Sequence, residues 1–478
     1  MKKTPPRTSK LNIINISDKG NGTSIWNRPD GKCFSVEVPF SYLNDEVLVE
    51  LRKIKNGYEG RPLEWLQLSE NRVIPKCKHF GSCGGCRWQH ISYEDQLHLK
   101  EKKIRNYFER LNTTFATWHS IIPCDPPWNY RNKMEFSFST DKAGKYYLGL
   151  ILYGTRGHVF KLEECHLASP WVTTCVDAVL HWWEKSGLDA YHGFKDTGTL
   201  RTLMIREGHN SGDRLVMLTV SGHPDYAISQ KLIRQFIEVV KEAVEPNERE
   251  GKLSIFLRIQ QIAKGKSTQF YEMHLYGPEQ IRETIFLENE EKQAEALNFQ
   301  ISPNAFFQPN TRQVGKLYSK AIELTQLKND DVVYDLYCGA GTIGICLAKH
   351  VKEVIGIEIV PESVLDAREN IQRNQLNNIT IFKGDVGDVL SMIKNDRSRA
   401  PDVVMVDPPR SGLDPKAMKH LIELNAPKIT YISCNPATQA LNVEVLIQNG
   451  YAIQAIQPVD QFPHTVHIEN IVVLSKCA

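Results

Sequence analysis

No apolar run in this 478-residue chain is long enough to span a bilayer. The first ten residues, Met1 to Lys10, are basic and contain proline but lead into no apolar stretch, which speaks against a secretory leader. Neither sign of charge is in excess: 58 Lys and Arg face 56 Asp and Glu, a formal net charge of +2. Overall charge therefore does not announce a partner. Internal repeats and low-complexity segments are also missing, so repeat architectures are set aside. What remains is an ordinary globular composition, 41% hydrophobic and 24% charged, expected in the cytoplasm. Eleven cysteines in that compartment are expected to bind metal, react or lie buried rather than form disulfides.

The length suits about three domains. Residues 1–10 read as a disordered tail. Residues 11–69 read as a small all-β unit of the OB type, with an Asp30-Gly31 hairpin turn, an alternating run over 32–38 and a second strand over 46–51. Charge is local rather than global: residues 51–110 hold 13 Lys and Arg against 7 Asp and Glu, a basic face able to meet phosphates. Cysteine and glycine crowd residues 70–88, and Ser92 caps a helical pattern that runs to 111. Strand-like and helical runs then mix through a central α/β domain, 70–290, whose order the pattern does not fix. From about 300 apolar strands alternate with amphipathic helices, the signature of a doubly wound parallel sheet over 291–478.

That sheet carries a ligand motif. Strand 331–336 runs into Tyr337-Cys338-Gly339-Ala340-Gly341-Thr342-Ile343-Gly344, where glycines allow a sharp turn and a close ligand. Glu358 ends the next strand, placed for ribose hydroxyls, and Asp385 ends a further one, placed for an adenine amino group. Read literally, Gly339-x-Gly341-x-x-Gly344 fits NAD as well as S-adenosylmethionine (SAM). Asp407-Pro408-Pro409-Arg410 follows the strand 403–406, a rigid lip also familiar from enzymes that methylate exocyclic nitrogens.

The discriminating residues come last. Cys434, in Ser433-Cys434-Asn435-Pro436, ends one strand, and Glu469 follows Phe462-Pro463-His464-Thr465-Val466-His467-Ile468. Carbon 5 of uracil is a poor nucleophile until a thiolate adds to C6, and a base must then remove the C5 proton. That chemistry needs one cysteine and one base on a rigid site. Cys434 fits the first role and Glu469 the second, with His464 and His467 as other bases.

These segments, together with Phe306-Phe307-Gln308-Pro309-Asn310, resemble the RNA uracil-5 methyltransferase family and occur in its order across the whole final domain. The resemblance implies a Rossmann-like SAM-dependent methyltransferase domain. It implies SAM contacts from Gln308, Tyr337, Thr342, Glu358, Asp385 and Asp407, Cys434 as nucleophile and Glu469 as proton acceptor. One departure falls at Gln439-Ala440-Leu441-Asn442, where relatives usually carry Leu-Ala-Arg-Asp. Helix 92–111 is implied to pack on this domain, and aromatics such as Phe306 to stack on bases.

Cys77, Cys83, Cys86 and the distant Cys165 supply four thiolates. Their spacing alone leaves zinc and iron–sulfur open, with His79, His90 or His166 as other fourth ligands. The ribosomal branch of the family resembles this pattern and implies a 4Fe–4S cluster on these four cysteines and a TRAM-type barrel over 11–69. Both features point to 23S rRNA as the substrate, for a monomer with no obligate protein partner and no membrane. The rival readings are a tRNA uridine-5 methyltransferase and a non-catalytic RNA-binding iron–sulfur protein.

Overall fold

The computed structural model describes residues 7–55, 57–111, 113, 115–246, 251–262, 267–288, 294–393 and 400–477. No helix among them is long and apolar enough to cross a membrane.

Six strands form the first sheet: Arg7–Asn12, Asn15–Ile16, Gly22–Asn27, Cys33–Val38, Glu46–Ile54 and Gly57–Gln67. Period-two alternation builds its core. Val36 and Val38 of one strand, and Val47, Val49 and Leu51 of another, point inward to Leu11, Trp26 and Tyr58. At the Asp30-Gly31 turn Gly31 takes φ +83°, and Arg28 N donates to Lys32 O at 2.8 Å. The expected tail is corrected here. Residues 7–10 pair antiparallel with Glu46–Ile54, Arg7 facing Leu51 and Lys10 facing Leu48. Only Leu11 of that strand is buried, so its hydrophobic pattern is too sparse to read. Residues 1–6 lie outside the described residues.

The second sheet is mixed, in the order Gln269–Tyr276, Leu253–Gln261, Arg214–Ser221, Leu200–Glu207, Lys133–Thr140, Tyr146–Gly149. Its one parallel pair joins Arg214–Ser221 to Leu253–Gln261, with helix Gln230–Val244 as the crossover. Helix Pro170–Ser186 packs on that crossover helix, and Trp183, Val216, Phe236 and Ile255 share one core.

The third sheet has eight strands, ordered Ile379–Lys383, Glu353–Glu358, Val332–Leu336, Val403–Val406, Lys428–Ser433, Glu469–Lys476, Tyr451–Val459, Phe115–Trp118. The first five are parallel and Glu469–Lys476 runs against them. Strand order reverses between Val332–Leu336 and Val403–Val406, which opens a crevice at their carboxyl ends.

Two pieces of chain from before the second sheet belong to the third. Phe115–Trp118 extends it in parallel with Tyr451–Val459. Helix Tyr93–Phe108, whose Ser92 cap accepts from Asp95 N at 3.1 Å, packs on helix Pro436–Gln448 and sends Ile104 and Phe108 into the sheet's core. The same helix pins the chain ahead of Glu469. Fully buried Lys100 donates to Asp460 Oδ1 at 2.6 Å and to Phe462 O at 2.9 Å, and Tyr93 donates to Asp460 Oδ2 at 2.8 Å. Such a pair adds little net stability, but removing one partner costs roughly 3–5 kcal/mol, so the loop is held in one place.

Candidate active site

The loop after Val332–Leu336 turns through three left-handed residues, Tyr337 (φ +65°), Gly339 (φ +55°) and Gly341 (φ +76°). Carboxylates hold it. Asp335 Oδ2 accepts from Gly344 N at 2.8 Å, and Glu358 Oε2 accepts from Gly339 N at 2.9 Å. Glu358 Oε1 also accepts from Val360 N at 2.8 Å. Two of the turn's amides, those of Gly339 and Gly344, are thus already taken by carboxylates. Buried Asp335 and half-buried Asp407 are both pushed up to about 7 by desolvation, and Asp335 further by Asp407 and Glu358. Three carboxylates at one sheet edge repel a phosphate and welcome a cation, so the chemistry favours a sulfonium over a dinucleotide.

A cleft of about 1170 Å³ lies over this edge. It is lined by Gln308, Tyr337, Thr342, Glu358 and Asp407 of the expected cofactor residues, and by both Cys434 and Glu469. Asp385 is not in its wall. Its Oδ1 accepts from Asp388 N at 3.1 Å at the start of helix Val386–Ile393 and lies 3.5 Å from Lys416 Nζ. Phe306, 67% exposed, stands at the rim.

Cys434 and Glu469 meet through strand register. Ser433 pairs with Asn470 in the antiparallel ladder, so the next residues out on each strand, Cys434 and Glu469, lie opposite one another. The Cys434 thiol is pushed up to about 11 by desolvation first and by Glu469 and Asp407 next. Glu469 is 2% exposed, its Oε2 has no hydrogen-bond partner among the described residues, and burial with Asp407 nearby lifts it well above the usual carboxylate range.

Sequence reasoning missed Arg410. It lies close to Cys434, and its charge favours the ionised forms of both Cys434 and Glu469. It belonged to a motif already singled out, but its reach to Cys434 is a tertiary contact with no local signal. The two histidines are less apt as bases. His464 lies 3.7 Å from stacked Trp128, contacts Gln96 through Nδ1, and burial pushes it down to about 3. His467 is pushed down to about 4 and lines a different opening. The departure at 439–442 also finds a place. Buried Gln439 donates to Tyr431 O at 2.8 Å and Asn470 O at 3.0 Å, stitching together the strands that carry Cys434 and Glu469. Asn442 Oδ1 accepts from Tyr431 OH and Leu413 N, while Leu441 faces solvent.

Cys77, Cys83, Cys86 and Cys165 line the same cleft as free thiols. Desolvation raises Cys77 to about 11 and Cys86 to about 12, and the other three cysteines each add repulsion at Cys86. All four are therefore within electrostatic reach of one another. No three His, Cys, Asp or Glu side chains among the described residues are grouped to hold a metal ion. His79 Nε2 already accepts from Glu163 N at 3.1 Å.

Comparison with known proteins adds the following. Residues 250–477 match the family model described as tRNA (Uracil-5-)-methyltransferase. An uncharacterized RNA methyltransferase of Protochlamydia amoebophila is 56% identical, over 92% of this chain and 100% of its own. One from Staphylococcus epidermidis is 31% identical over 98% and 97%. The crystal structure of the Pyrococcus abyssi tRNA (uracil-54, C5)-methyltransferase in complex with S-adenosyl-L-homocysteine is similar with a TM-score of 0.73 and 25% identity, covering 97% of this chain and 99% of that one.

Proposed function

The chain belongs to the SAM-dependent RNA uracil-5 methyltransferase family, and from that premise we propose that it methylates carbon 5 of a uridine in 23S rRNA through a covalent Cys434 adduct. The observation that carries the chemistry is the register that sets Cys434 opposite Glu469 in the wall of the carboxylate-lined cleft. Bound SAM supplies an electrophilic methyl on a sulfonium. Gln308, Tyr337, Thr342, Glu358 and Asp407, all in the cleft wall, are the side chains that would hold it, and its charge would offset the repulsion among Asp335, Glu358 and Asp407. Cys434, as thiolate, adds to C6 and turns C5 into an enolate carbon, to which the methyl would pass as its bond to sulfur breaks and S-adenosylhomocysteine is left. Glu469 then removes the C5 proton, the thiolate is expelled, and the 5–6 double bond returns. The proton leaves Glu469 to solvent, and the thiolate is ready for another uridine.

The quartet Cys77, Cys83, Cys86 and Cys165 is the set we assign to a 4Fe–4S cluster. The four thiols line one cleft, and the other three each repel a thiolate at Cys86, so they lie within electrostatic reach of one another. Protein purified without oxygen is expected to contain iron and labile sulfide, and Cys83→Ser to lose both. Iron-free wild-type protein that is folded and active would remove the assignment.

The choice of 23S rRNA rests on the N-terminal sheet and the cysteine quartet. A second reading, tRNA, is favoured by the Pyrococcus enzyme, which acts on tRNA and aligns over 97% of this chain. The test is tritium transfer from methyl-labelled SAM into unmodified 23S rRNA, 16S rRNA and tRNA offered separately. Label in 23S rRNA alone, as 5-methyluridine, is the expected result. Label in tRNA alone keeps the reaction and overturns the substrate, and label in none overturns both.

A further inference from the structure

Cys434 lines two openings. Beside the carboxylate-lined cleft, and sharing Gly84, Gly85, Tyr153 and Arg410 with its wall, a second groove of about 470 Å³ opens onto the same residue. Three remote stretches meet there: loop 18–19 of the N-terminal sheet, residues 84–87 of the cysteine-rich segment, and residues 465–468 ahead of Glu469. They are locked together. Gly20 takes φ +79°, and a Cβ on it would lie 2.3 Å from Val466 Cγ1 and 2.8 Å from Trp88 Nε1. Trp88 Nε1 donates to Gly20 O at 3.1 Å, and the amides of Arg87 and Trp88 both donate to His464 O, at 2.9 and 3.2 Å.

The groove is positive. Lys19, Arg87, Lys103 and Arg410 line it against one carboxylate, Asp18, whose Oδ2 accepts from Tyr107 OH at 2.5 Å. Among the described residues Arg87 is oriented without an ion pair. Its guanidinium lies 4.2 Å over the Tyr153 ring and 5.4 Å from Phe40, and donates to Asn21 Oδ1 at 2.7 Å and Tyr153 OH at 3.2 Å. All of these partners are neutral. Half-buried Lys103 donates to a backbone oxygen, Asp18 O, at 3.1 Å. Lys19 is loosely paired, 3.8 Å from Glu37. The field registers on His467, which burial and then Arg410 and Lys103 push down to about 4. A fixed, uncompensated guanidinium beside a nucleophile is the arrangement that recognises phosphate.

We infer that this groove binds the sugar–phosphate backbone flanking the reacting nucleotide, with Arg87 and Lys103 as phosphate ligands and Lys19 as an outer contact. The inference rests on the reading that Cys434 attacks a base in RNA. A base displaced from its neighbours enters from the groove, so its phosphates stay at the groove's rim, while the methyl donor approaches from the cleft. The N-terminal sheet thereby serves the substrate side of the site through loop 17–21.

The test uses the full chain and two probes, unmodified 23S rRNA and tRNA transcripts, with binding followed over a range of salt. Arg87→Gln and Lys103→Gln are each expected to weaken RNA binding about tenfold and to flatten the plot of log affinity against log salt by about one. SAM affinity should stay at the wild-type value in both. Arg87→Lys should keep more affinity than Arg87→Gln, and equal losses would mean that Arg87 only packs. A folded double variant that binds RNA like wild type, or a wild type that binds neither probe, overturns the inference. RNA binding with these dependences but no methylation leaves the groove standing and removes the reaction. Methylation with unaltered KM in both variants does the reverse.

Discussion

Cys434→Ser is expected to lower methyl transfer by at least ~10³-fold while SAM binding persists. A hydroxyl in place of the thiol has neither the acidity nor the softness to add to C6, so C5 never gains nucleophilic character. The same variant should fail to form a denaturation-resistant complex with RNA carrying 5-fluorouridine. In that analogue the C5 position holds no removable proton, and the wild-type adduct is trapped. The prediction has an electrostatic side. With its thiol pushed up to about 11 by burial, Glu469 and Asp407, Cys434 is mostly protonated at neutral pH in the cofactor-free protein. Arg410 opposes that shift, and a bound sulfonium beside the carboxylates opposes it further. Alkylation of Cys434 by a small thiol reagent should therefore be slow without the cofactor. A Cys434→Ser protein that still forms the fluorouridine complex would remove the residue from the mechanism.

How much of this was legible beforehand depended on whether the signal was local. The glycine turn at 339–344, the acid ending 353–358 and the lip 407–410 were readable because strand, loop and helix signals are contiguous. Cys434 and Glu469 were readable as strand-end residues, yet their opposition comes from pairing Lys428–Ser433 with Glu469–Lys476, which no period reveals. Helix Tyr93–Phe108 showed its cap, while its place on the third sheet came from the family resemblance alone, since Ile104 and Phe108, a turn apart, do not say which sheet they cover. Phe115–Trp118, four residues long, is too short for a pattern, and its place at the edge of the third sheet is tertiary. Strand Arg7–Asn12 was hidden behind its charged residues. The carboxylate at 385 shows the limit of position by analogy: its strand is right, but the side chain serves the next helix. Arg410 and Arg87 share a different reason for silence. Each is one basic residue among many until folding sets it in the groove that Cys434 also lines.

Glu469→Gln is expected to separate the two halves of the reaction. Glutamine occupies the same volume but cannot accept the C5 proton, so one methyl per enzyme should still transfer while turnover falls by about 10²–10⁴-fold. The methylated nucleotide should then remain attached to Cys434, visible as a protein–RNA complex that carries the methyl label. pH provides a second readout. Glu469 works as the anion, and burial with Asp407 raises it, so turnover should fail on acidification at a higher pH than an ordinary carboxylate would dictate. Cys434, also raised, acts in the same direction, and the rate should climb with pH through neutrality. The fold feels the same shift with a definite sign. Because Glu469 holds its proton more tightly folded than unfolded, its contribution falls as pH rises from the ordinary carboxylate range to the raised folded value. Above that range the buried anion, its Oε2 unpaired, is a net cost that glutamine does not carry. Glu469→Gln should accordingly melt at a higher temperature than wild type at neutral pH while turning over far more slowly. A variant that turns over normally, or that releases free 5-methyluridine RNA without accumulating the complex, would assign the proton to another group.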